Sequence, residues 1–207
     1  MTNGAEMFKG SLAAAEAARD TRAYSGLIAG LFEGVVRRSL FTSASIPAMS
    51  GDAKEFLDTL RLLLIEKVDP EAIDREGAIG EEVIEAFRAI GAFGIKIPRS
   101  YGGLGLSQSE YHTVATLLGS HDAATSVLLS AHNSIGVAEL VKLVGNREQQ
   151  QLLLPRLARG AISGFALTEK SAGCDIWDLK TYAIPVHEGG VLVGYRLTGE
   201  KLYTTNA

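Results

Sequence analysis

The sequence predicts an α+β protein: an N-terminal all-α helical domain followed by an incomplete antiparallel β domain. Three observations carry this. Apolar residues recur at three- and four-residue spacing from Asp52 to about Gly160. Beyond Gly160 the helical stripe disappears, and runs rich in β-branched and aromatic residues replace it. Helices followed by strands, instead of alternating with them, indicate two domains in series. The expected organisation is an N-terminal extension over residues 1–50, a helical domain over 51–160 and the start of a β domain over 161–207.

Residues 1–50 are rich in Ala, Gly and Ser and read as a loosely attached extension with one or two helices. Phe41 to Pro47 reads as a linker. The apolar stretch Gly26 to Val36 holds Glu33 and precedes Arg37-Arg38. It is too short to span a bilayer, which takes about 20 apolar residues. A helix packed on its own protein is the favoured reading. A surface-lying amphipathic helix, and with it peripheral membrane association, is the alternative.

From Asp52, residues Phe56, Leu60, Leu63 and Leu64 form a helical stripe, and Asp52, Glu55 and Asp58 suit the positive end of its dipole. Asp69, Glu71, Asp74 and Glu76 around Pro70 indicate a solvated turn with a short helix. Glu81 to Ile90 is the next helix, closed by Gly91 and Gly94. Ile95-Lys96-Ile97-Pro98 is predicted extended, because a residue before proline avoids the helical region. Tyr101 to Gly105 is a loop. Ser107-Gln108-Ser109-Glu110 has capping-box spacing and starts a helix to about Ser120. Ala123 to Val144 reads as one long, mostly helical segment. Asn146 caps a further helix that ends near Gly160, with Pro155 as a bend. Leu179 to Val186 and Val191 to Leu197 are strands joined by a Gly189-Gly190 hairpin turn. Lys201 to Thr205 is expected as a further short strand.

Composition narrows the function classes. Of 207 residues, 46% are hydrophobic, enough for a core. The net charge of −4 comes without any block of like charge, so the clustered Lys and Arg of a nucleic-acid surface are missing. A single cysteine, Cys174, excludes an internal disulfide framework and fits a reducing compartment. The four His and one Cys lack metal-ligand spacing, and no metal is expected. The N-terminus shows no basic region followed by an apolar stretch, so no secretion signal is expected. The expected setting is cytoplasmic, or the mitochondrial matrix in a eukaryote.

Two segments carry chemistry. Phe165-Ala166-Leu167-Thr168-Glu169 is a short apolar run that stops at polar residues, followed by Ala172-Gly173-Cys174-Asp175. Tyr203-Thr204-Thr205 sets an aromatic ring beside two hydroxyls. A flavin needs hydrogen bonds at its polar ring edge, contact on its flat face and donors for its pyrophosphate. Thr168, at the end of a strand, can serve the edge. Ala172 and Gly173 let the backbone approach the pyrophosphate, where N–H groups attract anions. Tyr203 can lie against the face, with Thr204 or Thr205 donating to a ring nitrogen. Each segment alone is more often ordinary loop or β structure; the weight comes from the pair, joined by a hairpin, behind a helical domain. Elsewhere, His132 reads as a satisfied buried histidine in preference to a base. Arg156 and Arg159 read as decoration of a helix end. Trp177 either packs on the domain, the favoured reading, or borders the cofactor. Glu169 tempts as a general base, but a base must reach the substrate proton.

The order Gly91-Ala92-Phe93-Gly94, Pro98, Tyr101-Gly102-Gly103-Leu104-Gly105, Leu167-Thr168-Glu169, Ala172-Gly173-Cys174-Asp175, Gly199-x-Lys201 and Thr205-Asn206 resembles the acyl-CoA dehydrogenases over about residues 52–207. Ser130 to Gly136 and Met7-Phe8-Lys9-Gly10 are similar to the very long-chain branch. The resemblance implies FAD, held by Phe165, Ala166, Leu167, Thr168, Ala172, Gly173 and Cys174 and by Tyr203, Thr204 and Thr205. Thr168 would bond the isoalloxazine edge, Tyr203 would stack, and Thr205 would reach N5. Cys174 would lie beside the pyrophosphate and the substrate. Three residues depart from the family's usual pattern: Cys174 stands for Ser, Lys170 for Pro and Tyr203 for Trp. A thiol donates more weakly than a hydroxyl.

The implied reaction is α,β-dehydrogenation of a fatty acyl-CoA, long-chain by the branch resemblance, with electrons passing to an electron-transfer flavoprotein. The implied assembly is a dimer or tetramer. The family's base is a Glu of a C-terminal helical domain, so no catalytic residue is expected within these residues. The chain is expected to be part of a longer product or to be complemented by another chain. The rival readings are a non-catalytic subunit that binds acyl-CoA or a partner dehydrogenase, an acyl-CoA oxidase, and a helical interaction module with a β appendage.

Overall fold

The computed structural model of the chain describes residues 27–32, 34–36 and 48–207. The expected linker from Phe41 to Pro47, the Met7 to Gly10 motif and most of the extension lie outside the described residues. The chain divides into two units, Met1–Pro47 and Ala48–Ala207. In the first, helix α1 spans Leu27–Phe32.

The second unit is helical up to Ala158 and ends in a two-stranded antiparallel sheet. Its helices are α2 (Gly51–Lys67), α3 (Pro70–Glu76), α4 (Glu81–Ala89), α5 (Gln108–His121), α6 (Ala123–Ser130), α7 (Val137–Val144) and α8 (Arg147–Ala158). Each start follows from a local signal. Ser50 caps α2 by accepting from the Ala53 N–H. Asp69 caps α3 ahead of Pro70, whose missing N–H costs nothing at the first helical position. Ser107 and Asn146 open α5 and α8 with capping boxes closed by Glu110 and Gln149.

Glu110 does more than close its own box. One carboxylate oxygen accepts from the Ser107 N–H at 2.8 Å and its hydroxyl at 2.7 Å. The other accepts from the Ser50 N–H at 2.9 Å and hydroxyl at 2.6 Å. A single anion therefore serves the starts of α2 and α5, with Ser50 and Glu110 60 residues apart in sequence. The Ser50 hydroxyl and N–H, followed by those of Ser107, hold the Glu110 carboxyl at about 2. At the other end, the His121 Nε2 lies 3.0 Å from the Val68 carbonyl, tying the end of α5 to the end of α2.

The core lies between these helices. Phe87, Phe93, Leu60, Leu64 and Leu118 are fully buried. A smaller cluster joins Ile97 to Ala138, Val141, Leu154 and Leu157 of α7 and α8. Ile95 and Ile97 reach the interior from a turn, not from the extended segment the sequence predicts. Ile95 has helical φ/ψ of −51° and −48°. The pre-proline rule restricts Ile97 alone, and the turn lets the Leu104, Gly105 and Leu106 N–H groups bond back to the carbonyls of Gly94, Ile97 and Ile95.

Ala123 to Val144 is mostly helical, as expected, and is divided into two α-helices. A π-turn at Ala131–Ile135 and extended backbone at Gly136 separate α6 from α7. By length and composition this stretch could cross a membrane. Its middle is nevertheless tied into the protein. The Asn133 side-chain amide donates to the Ala92 and Leu129 carbonyls, both at 3.0 Å. His132, fully buried, sets its ring edge-on to Phe93 at 5.2 Å. The extra residue of a π-turn is what lets both side chains point into the core.

The sheet matches the expected hairpin. β1 (Tyr182–Glu188) pairs with β2 (Val191–Thr198), with an irregularity at Val186/His187. Gly189 and Gly190, at φ of 57° and 82°, supply the two left-handed residues of a type I′ turn. The expected third strand, Lys201 to Thr205, does not form. Tyr203 and Asn206 take φ of 56° and 66°, incompatible with a strand.

Removing the shared carboxylate with Glu110→Ala should cost about 1–2 kcal/mol, more than an ordinary single cap, read as a lower urea midpoint. Because the folded-state value lies below the ordinary one of 4.5, this stabilisation is complete above that range and disappears as pH falls towards about 2. The difference between wild type and Glu110→Ala should therefore shrink over that window.

Candidate functional site

The two segments singled out by sequence lie side by side and antiparallel. The Leu202 N–H donates to the Thr168 carbonyl at 2.9 Å. The Lys201 ammonium donates to the Leu167 carbonyl at 3.0 Å. At the far end, the Asn206 side-chain amide donates to the Ser163 carbonyl at 3.2 Å. Gly164 packs against Thr205 so closely that a Cβ there would run into the Thr205 carbonyl. Neither segment is a strand, so the expectation that Thr168 ends one is not met. Side-chain donors do much of the work that a ladder would otherwise do.

Glu169 anchors this pairing. The residue is 6% exposed. Its carboxylate accepts from the Lys180 N–H at 2.6 Å, the Thr181 N–H at 3.1 Å and the Lys201 ammonium at 2.8 Å. One acceptor thus joins the first segment to the start of β1 and to the second segment. The Lys201 ammonium foremost, with the Thr181 and Lys180 groups around it, holds the Glu169 carboxyl at about 2. A carboxylate so committed is an electrostatic clamp, and the idea of Glu169 as a general base is set aside.

The candidate contacts divide by exposure. Phe165 is 41% and Tyr203 91% exposed, and Ala166, Cys174 and Thr205 are also exposed. Leu167, Thr168 and Thr204 are half-buried. Nothing stands within 4 Å of the place a Cβ would occupy on Gly173, so backbone there is open to a ligand. Ala172 departs from expectation. It is 2% exposed, and its N–H donates to the Glu169 carbonyl while its own carbonyl accepts from the Glu169 N–H. That reciprocal pair closes the 169–172 turn, and the Ala172 N–H is not available to an anion. Trp177 is 75% exposed. A cleft of about 440 Å³ beside this turn is lined by Glu169, Lys170, Ser171, Lys180 and Glu200. None of the candidate flavin contacts lines it.

His132, read from sequence as a satisfied buried residue, is one. Its Nε2 lies 2.9 Å from the Phe93 carbonyl, and its Nδ1 accepts from the Ser163 N–H at 3.1 Å. Burial pushes the imidazole below its ordinary value, with the Phe93 contact opposing. Lys201, Ser163 and Asn206 received no role from sequence, although Lys201 and Asn206 stand in the motifs that carry the resemblance.

Residues 50–161 match the profile of the acyl-CoA dehydrogenase N-terminal domain. The chain is 42% identical over 153 residues to the probable acyl-CoA dehydrogenase FadE10 of Mycobacterium tuberculosis, covering 74% of this chain and 22% of that protein. It is 36% identical over 154 residues to the mitochondrial very long-chain specific acyl-CoA dehydrogenase of Rattus norvegicus, covering 74% of this chain and 23% of that protein. The chain thus spans under a quarter of the length of these relatives. Its fold aligns with an acyl-CoA dehydrogenase from Bacillus anthracis complexed with FAD, at a TM-score of 0.63 and 30% identity, over 76% of this chain and 27% of that one. With more than half of its residues in the matched domain and the paired segments lying beyond it, the chain belongs to the acyl-CoA dehydrogenase family.

Proposed function

We propose that this chain provides the N-terminal helical domain and one flavin-binding wall of an FAD-dependent acyl-CoA dehydrogenase acting on a fatty acyl-CoA. The observation that carries the reading is the antiparallel pairing of Ser163–Glu169 with Lys201–Asn206. It brings together two stretches more than 30 residues apart in sequence, as a shared wall requires. The residues fit such a group: the half-buried Thr168 hydroxyl can donate to a polar ring edge, the exposed Tyr203 ring can meet a flat face, and Gly173 leaves room for a phosphate. Thr204 and Thr205 add hydroxyl donors, and Cys174 lies exposed at the end of the same turn.

When bound, FAD supplies the hydride acceptor, and the protein's part is to hold and orient it. Thr168 and Tyr203 position the ring, and Glu169 with Lys201 keeps their two segments in register. The rest of the reading rests on kinship: a thioester of CoA as substrate, an electron-transfer flavoprotein as electron acceptor and a dimer or tetramer as the assembly; the cytoplasmic or matrix setting rests on the sequence alone. The relative from Rattus norvegicus favours a very long acyl chain.

Titration of the chain with FAD, followed by flavin fluorescence, tests the wall. Thr168→Val and Tyr203→Ala should each weaken binding about tenfold, the loss of one hydrogen bond or one stacking contact. Unchanged affinity in both would remove the assignment. Cys174→Ser, which installs the stronger donor, should tighten binding a few-fold. The clamp adds a pH signature. Its carboxylate form is favoured in the folded protein, so FAD binding should be constant above pH 4.5 and decline as pH falls towards about 2. Glu169→Gln should show weaker binding throughout and a flat profile in that window.

A further inference from the structure

Three elements meet at Ser163. On one side, its N–H and hydroxyl lie 3.1 and 3.0 Å from Nδ1 of His132. Since the Ser163 N–H must donate, Nδ1 accepts, and the imidazole proton sits on Nε2, which donates to the Phe93 carbonyl at 2.9 Å. The ring is neutral and both its nitrogens are used. On the other side, the Ser163 carbonyl accepts from the Asn206 side-chain amide at 3.2 Å. The same amide nitrogen donates to the Leu128 carbonyl at 3.0 Å. Leu128 precedes the π-turn that ends α6. One primary amide with two hydrogens thus links α6, the first wall segment and the second.

The backbone at Asn206 sets the choice of residue. Its φ of 66° is left-handed, a conformation that asparagine tolerates better than other side chains except glycine. Aspartate would keep the shape but bring an acceptor against two carbonyls. Glycine would keep the backbone and lose both donors.

We infer that Asn206 is a positioning residue of the flavin wall: by gripping Ser163 and Leu128 together it fixes where the Tyr203–Thr205 run lies relative to Thr168. The link to flavin rests on the function proposed above; the link between the segments rests on the hydrogen bonds alone. The two are separable in one set of measurements on the full chain, using Asn206→Gly and Asn206→Asp. Amide hydrogen exchange is read at Leu202, whose N–H donates to Thr168, and at Tyr111, whose N–H bonds the Ser107 carbonyl within the α5 start. Asn206→Gly should lower protection at Leu202 about tenfold and leave Tyr111 unchanged, and Asn206→Asp should lower Leu202 further. FAD affinity should fall by about the same factor, with a change in the visible band of the bound flavin that a merely destabilised protein would not show. Unchanged exchange at Leu202 in both variants, or an equal loss at Leu202 and Tyr111, overturns the positioning role. So does unaltered FAD affinity and spectrum where the wild type binds. A wild type that binds no FAD defeats the flavin reading alone, and exchange at Leu202 then decides the role of Asn206.

Discussion

The Glu169 carboxylate sits where its own stretch of chain meets two others, and it accepts from both: the Lys201 ammonium, and the N–H groups of Lys180 and Thr181. Removing this acceptor would take the partner from the Lys180 and Thr181 N–H groups and leave the Lys201 ammonium with the Leu167 carbonyl alone. The clamp thus compensates for the absence of a β-ladder between the two wall segments. The hairpin from β1 to β2 is the connection that returns the chain from Thr181 to Lys201. Its register, pinned by Gly189 and Gly190, decides which residue arrives opposite Leu167.

The helical unit gives the wall its foundation. Glu110 joins the starts of α2 and α5, and the π-turn between α6 and α7 turns His132 and Asn133 inward. His132 then holds Ser163 from the helical side, so the first wall segment leaves α8 already oriented. A buried neutral imidazole with one donor and one acceptor satisfied is a rigid spacer, and its depressed basicity keeps it so at ordinary pH. The sequence from helix caps to buried histidine to paired segments is one continuous chain of local causes, ending at an exposed aromatic ring.

Much of this was legible in the residues. The capping boxes at Ser107 and Asn146, the proline-led α3 and the Gly-Gly hairpin turn all carry local chemistry that fixes structure within a few residues. The α+β class followed from the change of period near Gly160, and the two candidate segments were placed on facing stretches as expected. What failed was non-local. The π-turn inside the helical stretch Ala123–Val144 leaves no mark on the hydrophobic periodicity; the bonds of Asn133 to Ala92 and of His132 to Phe93 account for it. Lys201 to Thr205 looked like a strand by composition, yet left-handed Tyr203 and Asn206 break it. Ala172 looked like a gap for a phosphate and is instead a closed turn. Glu169, Lys201 and Asn206 acquire their roles only when segments distant in sequence meet, and no spacing rule reports that.

The central claim is spatial: Thr168 and Tyr203 belong to one surface that takes a flat tricyclic ring. A crystal structure of the chain grown with FAD tests it most directly. The account predicts the ring in contact with the Tyr203 side chain and within hydrogen-bond distance of the Thr168 hydroxyl, with Lys201 still on Glu169. A ring bound elsewhere on the chain, or the two stretches found apart, would contradict it.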